Sequence, residues 1–227
     1  YSKKNHDPNV LKIIKKNLNG ISIISSERLL DEFKKLAQSN GFIKLINDKF
    51  CLEIINLIFP QFKNLNILKN IKKEDINKLD FIILLSALII DSSDNTEYFL
   101  YKFNLSKNDK KRILFLKKFY SQQVNKKTFS KENLWKVLYY NGKQNLNDLF
   151  HYQILQSKNN EKKFLELCIF FNDKVSPKLP INANYLMNEF NISKGKEIGI
   201  KLRKIEDKWI SNNFKISNKE IEKLILN

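Results

Sequence analysis

Glycine and proline are scarce, five and four residues among 227. With so few residues suited to tight turns and bulges, a fold of many short strands is excluded, and abundant Leu, Ile, Lys, Glu and Asn point to helices. Cysteine is scarcer still. Cys51 and Cys168 lie far apart, without the spacing of a zinc site, a redox pair or a disulfide framework, so two reduced thiols in a cytoplasmic protein are expected. Long hydrophobic runs are missing as well. The most apolar stretch, Phe81 to Ile90, falls well short of the roughly 20 residues that cross a bilayer, so it reads as a buried helix and no membrane partner is expected. Tyr1 to Asn17 lacks the continuous apolar core of a signal peptide. The single methionine is Met187 and the first residue is Tyr1, from which an excerpt of a longer polypeptide is expected.

Catalytic residue sets are also missing. His6 and His151 are the only histidines, and neither stands in metal-ligand spacing. There is no Gly-rich phosphate loop, no nucleophile elbow and no paired-aspartate metal motif. The acidic pairs Asp31-Glu32, Glu74-Asp75 and Glu206-Asp207 are isolated and read as solvated helix faces. No catalytic residue and no metal ligand is assigned, and no cofactor is expected in this chain.

What is present is positive charge. Against 24 acidic residues stand 41 basic ones, giving a net charge of +17 and a pI near 9.7. That balance suits a polyanionic partner. Only Arg28, Arg112 and Arg203 among the basic residues are arginine, and Lys, Asn and Ile are inflated together, so compositional bias shares in the excess.

Helical periodicity runs through the chain and strict alternation is almost absent, which predicts an all-α, elongated multi-helix array. Asp7 and Pro8 open a first helix with Val10, Ile13, Ile14 and Leu18 on one stripe and Gly20 at its end. Ser25 or Ser26 caps a second, with Leu29, Leu30, Phe33, Leu36 and Ala37 inward and Arg28 facing Glu32 outside. Gly41 restarts the chain into two short helices ending before Pro60. Gln61 to Lys73 is Asn- and Lys-rich and reads as a loose connection. Beyond it come the Phe81 to Ile90 helix, a short one from Glu97 to Phe103, and one capped by Ser106 with Asp109 three residues on. Three more are expected over Lys131–Tyr140, Asn145–Gln156 and Glu161–Phe171. Pro177 and Pro180 mark an extended linker. Ser193 is expected to cap a helix with Ile198, Leu202, Ile205 and Trp209 on its apolar stripe, and Ser217 with Glu220 a last one. These breaks divide the chain into 1–60, a helical body over 61–175, and a tail over 176–227.

The tail helix carries the most specific physical signal. Lys194, Gly195 and Lys196 precede or open it, where free N–H groups and the helix dipole favour an anion. Lys194, Lys201, Lys204 and Lys208 recur along it as a basic stripe, suited to following a nucleic-acid backbone without reading bases. An ordinary amphipathic helix whose Gly195 and Gly199 permit close packing fits the same residues. Tyr139 and Tyr140, beside Lys136 and Lys143, suit either base stacking or core packing.

Two stretches resemble a known family. His6-Asp-Pro-Asn-Val-Leu-Lys-Ile-Ile14, followed by Ile24-Ser-Ser-Glu-Arg-Leu-Leu-Asp-Glu-Phe-Lys-Lys-Leu36, resembles the neck of bacterial tRNA nucleotidyltransferases (CCA-adding enzymes) and the related poly(A) polymerases. Their Ser-x-Glu-Arg-(Ile/Leu)-x-x-Glu pattern falls on Ser25, Glu27, Arg28, Leu29 and Glu32. Ile54-Ile-Asn-Leu-Ile-Phe-Pro60 resembles the corner that follows. Leu179 to Leu186, Gly195-Lys-Glu-Ile-Gly199 and Leu202 to Ile210 resemble the family's tail in its alphaproteobacterial form, except that Asn182-Ala-Asn184 replaces a usual glycine. The resemblance implies a poly(A) polymerase C-terminal-region-like array of neck, body and tail that holds the acceptor and TΨC arms of tRNA. It also implies a separate N-terminal head of the same protein, using Mg²⁺ with CTP and ATP, that does the nucleotidyl transfer. A free-standing helical RNA-binding or scaffold module is the alternative.

Overall fold

The computed structural model describes residues 7–39, 41–71, 79–121, 128–156 and 161–226, and every regular element among them is helical. Of the residues singled out above, His6, Glu74 and Asp75 lie outside this set. The chain forms two compact units, one of residues 1–124 with 147–173, the other of 125–146 with 174–227.

In the larger unit, α1 (Pro8–Lys16) is capped by Asp7, which accepts from Asn9 N–H at 2.8 Å, and a 3₁₀ turn over Leu18–Ile23 follows it. The helix therefore stops before Gly20. Its apolar stripe is only partly covered: Ile14 is half-buried, but Val10 and Ile13 are 41% and 58% exposed, because the stripe is wider than the contact with α4 and the turn. Helix α2 (Ser26–Ala37) starts at Ser25, whose Oγ accepts from Arg28 N–H, and it buries Leu30, Phe33 and Ala37 as expected. Helices α3 (Phe42–Ile46) and α4 (Lys49–Ile58) complete the first stretch.

Helix α5 (Phe81–Ile89) is apolar on all sides and all nine residues are buried, so it is the centre of this unit. Each of its Phe, Ile and Leu side chains contributes about 1.5–3 kcal/mol of apolar burial. A buried helix must also have its ends satisfied. At the start, the Asp80 carboxylate accepts from Ile82 and Ile83 N–H. At the end, the Asn64 amide donates to Ala87 O (3.2 Å) and Ile90 O (2.7 Å), and Asn64 N–H donates to Leu88 O. Asn95 and Thr96 supply Ile89 O.

The Asn-rich stretch after Pro60 is thus not the loose connection its composition suggests. Gln61, Phe62, Leu68 and Ile71 are buried, and a 3₁₀ turn over Leu65–Asn70 packs on α5. Rings of Phe33, Phe59, Phe62, Phe99 and Phe103 form a chain, with Phe59 stacked on Phe62 at 4.7 Å and Phe99 on Phe103 at 4.3 Å. Helix α6 (Asn95–Lys102) leads to α7 (Lys107–Ser121), which begins at the expected Ser106–Asp109 capping box.

The helices expected over Lys131–Tyr140 and Asn145–Gln156 adjoin within α8 (Lys131–Gln156), which is two helices separated by a kink at Gly142 with φ 78° and ψ 172°. That conformation is open essentially to glycine alone, which is why the chain breaks there. Helix α9 (Glu161–Asn172) follows in the larger unit. In the smaller unit, α10 (Ala183–Phe190), α11 (Lys196–Ser211) and α12 (Asn218–Leu226) enclose Ile181, Leu186, Ile198, Ile205, Ile221 and Ile225. Asn182 caps α10 by accepting from Tyr185 N–H. No helix among the described residues is long and apolar enough to cross a membrane.

Candidate nucleic-acid interface

Helix α11 begins two residues later than expected. Its N-cap is Gly195 and not Ser193, and no side chain caps its first N–H groups. Gly195 is extended, and both Gly195 and Gly199 face open space, so close packing is not what these glycines provide. Ile198, Ile205 and Trp209 are buried on one side. The other side exposes Lys196, Ile200, Arg203, Lys204, Asp207 and Lys208, with Lys194 exposed just before the helix.

Lys201 departs from this basic face. One turn from both Ile198 and Ile205, it is drawn against the fold, where its ammonium donates to Ile225 O near the end of α12 and lies 3.7 Å from Glu197. It caps a neighbouring helix. Arg203 is the basic residue that the sequence reading passed over: it lies two turns beyond Lys196, a spacing that places it on the same face.

Glu206 is also not a plain solvated acid. Tyr139 donates its hydroxyl to Glu206 Oε1 at 2.5 Å, and its ring meets Trp209 edge-on at 5.4 Å. Hydrogen bonding to the carboxylate, then burial, pushes the Tyr139 phenol up to about 12. Because the folded pKa is raised, this contact contributes stability below the ordinary phenol value of 10.0 and loses it as pH climbs towards 12. Tyr139→Phe is expected to cost about 2 kcal/mol at neutral pH, measured by urea unfolding. The deficit should shrink above pH 10; a constant deficit would assign it to packing. Tyr140 is 62% exposed.

In the first stretch, Ser25 is the cap already described, and Glu27 accepts from Asn104 Nδ2 at 3.1 Å. Glu32 pairs with Lys35 at 2.9 Å instead of with Arg28, and that hydrogen bond holds its carboxyl below the usual range. Arg28 is exposed. These residues position α2, and a surface pair of this kind adds little stability. Lys12, Lys16, Lys44, Lys49 and Lys63 are exposed around them, whereas Lys15 is held by Glu53 at 2.6 Å.

Residues 6–65 match the family described as "Probable RNA and SrmB- binding site of polymerase A". The match covers 60 of 227 residues, the stretch that forms α1 to α4, which is therefore a region of poly(A) polymerase-family type. No curated protein matches the chain.

Proposed function

We propose that this chain is the tRNA-binding C-terminal region of a tRNA nucleotidyltransferase that adds CCA to tRNA 3′ ends. The observation that carries the RNA-binding part is the family match over residues 6–65, in a chain of net charge +17. The exposed set Lys194, Lys196, Arg203, Lys204 and Lys208 supports it, since an uncapped helix start beside spaced cations suits phosphates. Gly195 and Gly199 leave the helix surface bare for a close backbone approach. Recognition is by shape and phosphate, at the acceptor and TΨC arms.

Among the described residues no three His, Cys, Asp or Glu side chains converge on a metal position. Nucleotidyl transfer with CTP and ATP is assigned to a head domain outside this chain. A Gly-Ser motif and paired aspartates encoded upstream of Tyr1 are the expected finding; an upstream frame without them favours a free-standing RNA-binding module.

The direct test is a titration of the chain with tRNA at several salt concentrations. If about five phosphates are contacted, log K falls against log salt with a slope of about −4. Absence of tRNA binding at low salt would sink the proposal.

A further inference from the structure

The two left-handed residues after α11 have different explanations. Asn213 (φ 53°) donates its N–H to Ile210 O, and Phe214 donates to Trp209 O at 2.8 Å. Those paired bonds form a Schellman helix end, which requires one left-handed residue, and Asn suits that position. Phe214 is left-handed too, at φ 62°, a conformation that a bulky side chain rarely adopts and that the helix end does not require. What it achieves is placement of the ring. Phe214 meets Trp209 edge-on at 4.9 Å and lies 5.6 Å from Tyr139.

Phe214 also lines a cleft of about 390 Å³ with Trp135, Pro177, Asn213, Lys131 and Glu132, all within the smaller unit. Indole, phenyl and pyrrolidine rings make its lining largely apolar. A carboxamide and two charged side chains complete it. Mostly apolar concavities of this size with a few polar groups are the usual form of small-ligand sites. Flat aromatic surfaces stack on any nucleobase, and a carboxamide offers both a donor and an acceptor to a base edge.

We propose that this cleft takes one unpaired nucleobase of an RNA strand, stacked on Trp135 and Phe214, with Asn213 at its hydrogen-bonding edge. This rests on the RNA-binding reading above and adds to it a single-stranded contact that the basic face of α11 does not supply.

The test titrates the chain with adenosine 5′-monophosphate and with a short oligoadenylate, with inorganic phosphate as control. Tryptophan fluorescence and ligand-observed NMR are recorded. Trp135 is half-buried at the cleft and Trp209 is 3% exposed, so both nucleotide probes should quench Trp135 and phosphate should not. In Trp135→Phe the quench should vanish while binding by NMR persists. Asn213→Gly preserves the helix end, because glycine is the preferred left-handed residue, and should weaken both probes about 3- to 10-fold with an unchanged Tm. Phe214→Ala should weaken them further. The proposal is overturned if neither probe binds while tRNA does, an outcome that leaves the RNA-binding reading intact. It is equally overturned if Asn213→Gly and Phe214→Ala both bind like the parent chain. Binding of the monophosphate without the oligonucleotide would overturn the strand assignment in favour of a free-nucleotide site. Binding of both probes without tRNA would support the cleft and count against the tRNA reading.

Discussion

Arg112→Leu is expected to destabilise the larger unit by about 3–5 kcal/mol, a large share of the roughly 5–15 kcal/mol that a domain possesses. Arg112, on α7, is buried at 9% exposure, and Asp148, on the second half of α8, at 1%. The guanidinium donates Nε to Asp148 Oδ2 at 2.6 Å and Nη2 to Asp148 Oδ1 at 2.8 Å. It also lies 3.0 Å from Asp80, the residue that caps α5. One side chain therefore fixes α7 to the start of the central helix and to α8, and these contacts raise the Arg112 pKa further above its ordinary value. Removing the cation takes from Asp148, buried at 1% exposure, the guanidinium that meets both of its oxygens, and breaking a buried pair on one side costs more than the pair contributes. Asp80 keeps its solvent contact. Arg112→Leu with Asp148→Leu should therefore recover part of the loss, since neither charge of the pair is then left facing an apolar side chain. Urea unfolding followed by circular dichroism distinguishes the cases: a double variant no more stable than Arg112→Leu alone would show that packing, not charge, is what the arginine supplies.

That pair also shows where reading the sequence stops. Arg112 and Asp148 are 36 residues apart, and no local pattern announces a contact at that range. The same holds for Tyr139 with Glu206 and for the grouping of 125–146 with 174–227. What was legible is what local physics decides. The apolar stripes of α2 and α11, the run that became α5, and the capping boxes at Ser106–Asp109 and Ser217–Glu220 all follow from spacing within a few residues. Asn64 and Asn95 were illegible for a subtler reason. Asparagine is a turn residue by composition, and only the buried end of α5 turns its amide into a cap. Lys201 was misplaced because it sits at the edge of the buried stripe, where a helical wheel does not decide between solvent and a neighbouring carbonyl.

The revised position of Lys201 sharpens the prediction for RNA. Replacing Lys194, Lys196, Lys204 and Lys208 together with Gln removes four exposed cations while keeping side-chain length and helix propensity. None of the four packs into the core, so the Tm should hold. If each meets one phosphate, the salt slope should flatten by about 4, leaving little dependence, and affinity at low salt should fall by about two orders of magnitude or more. The loss should be similar for unrelated tRNAs, because phosphate contacts carry no sequence. Lys201→Gln is the internal contrast: it should lower the stability of the smaller unit by withdrawing the donor from Ile225 O, and leave the salt slope nearly unchanged. A fourfold variant that binds tRNA with the parent slope would remove α11 from the interface and leave the exposed lysines of α1 to α4 to account for binding. A Lys201→Gln variant that flattens the slope without loss of stability would show that this ammonium leaves its carbonyl when RNA is present.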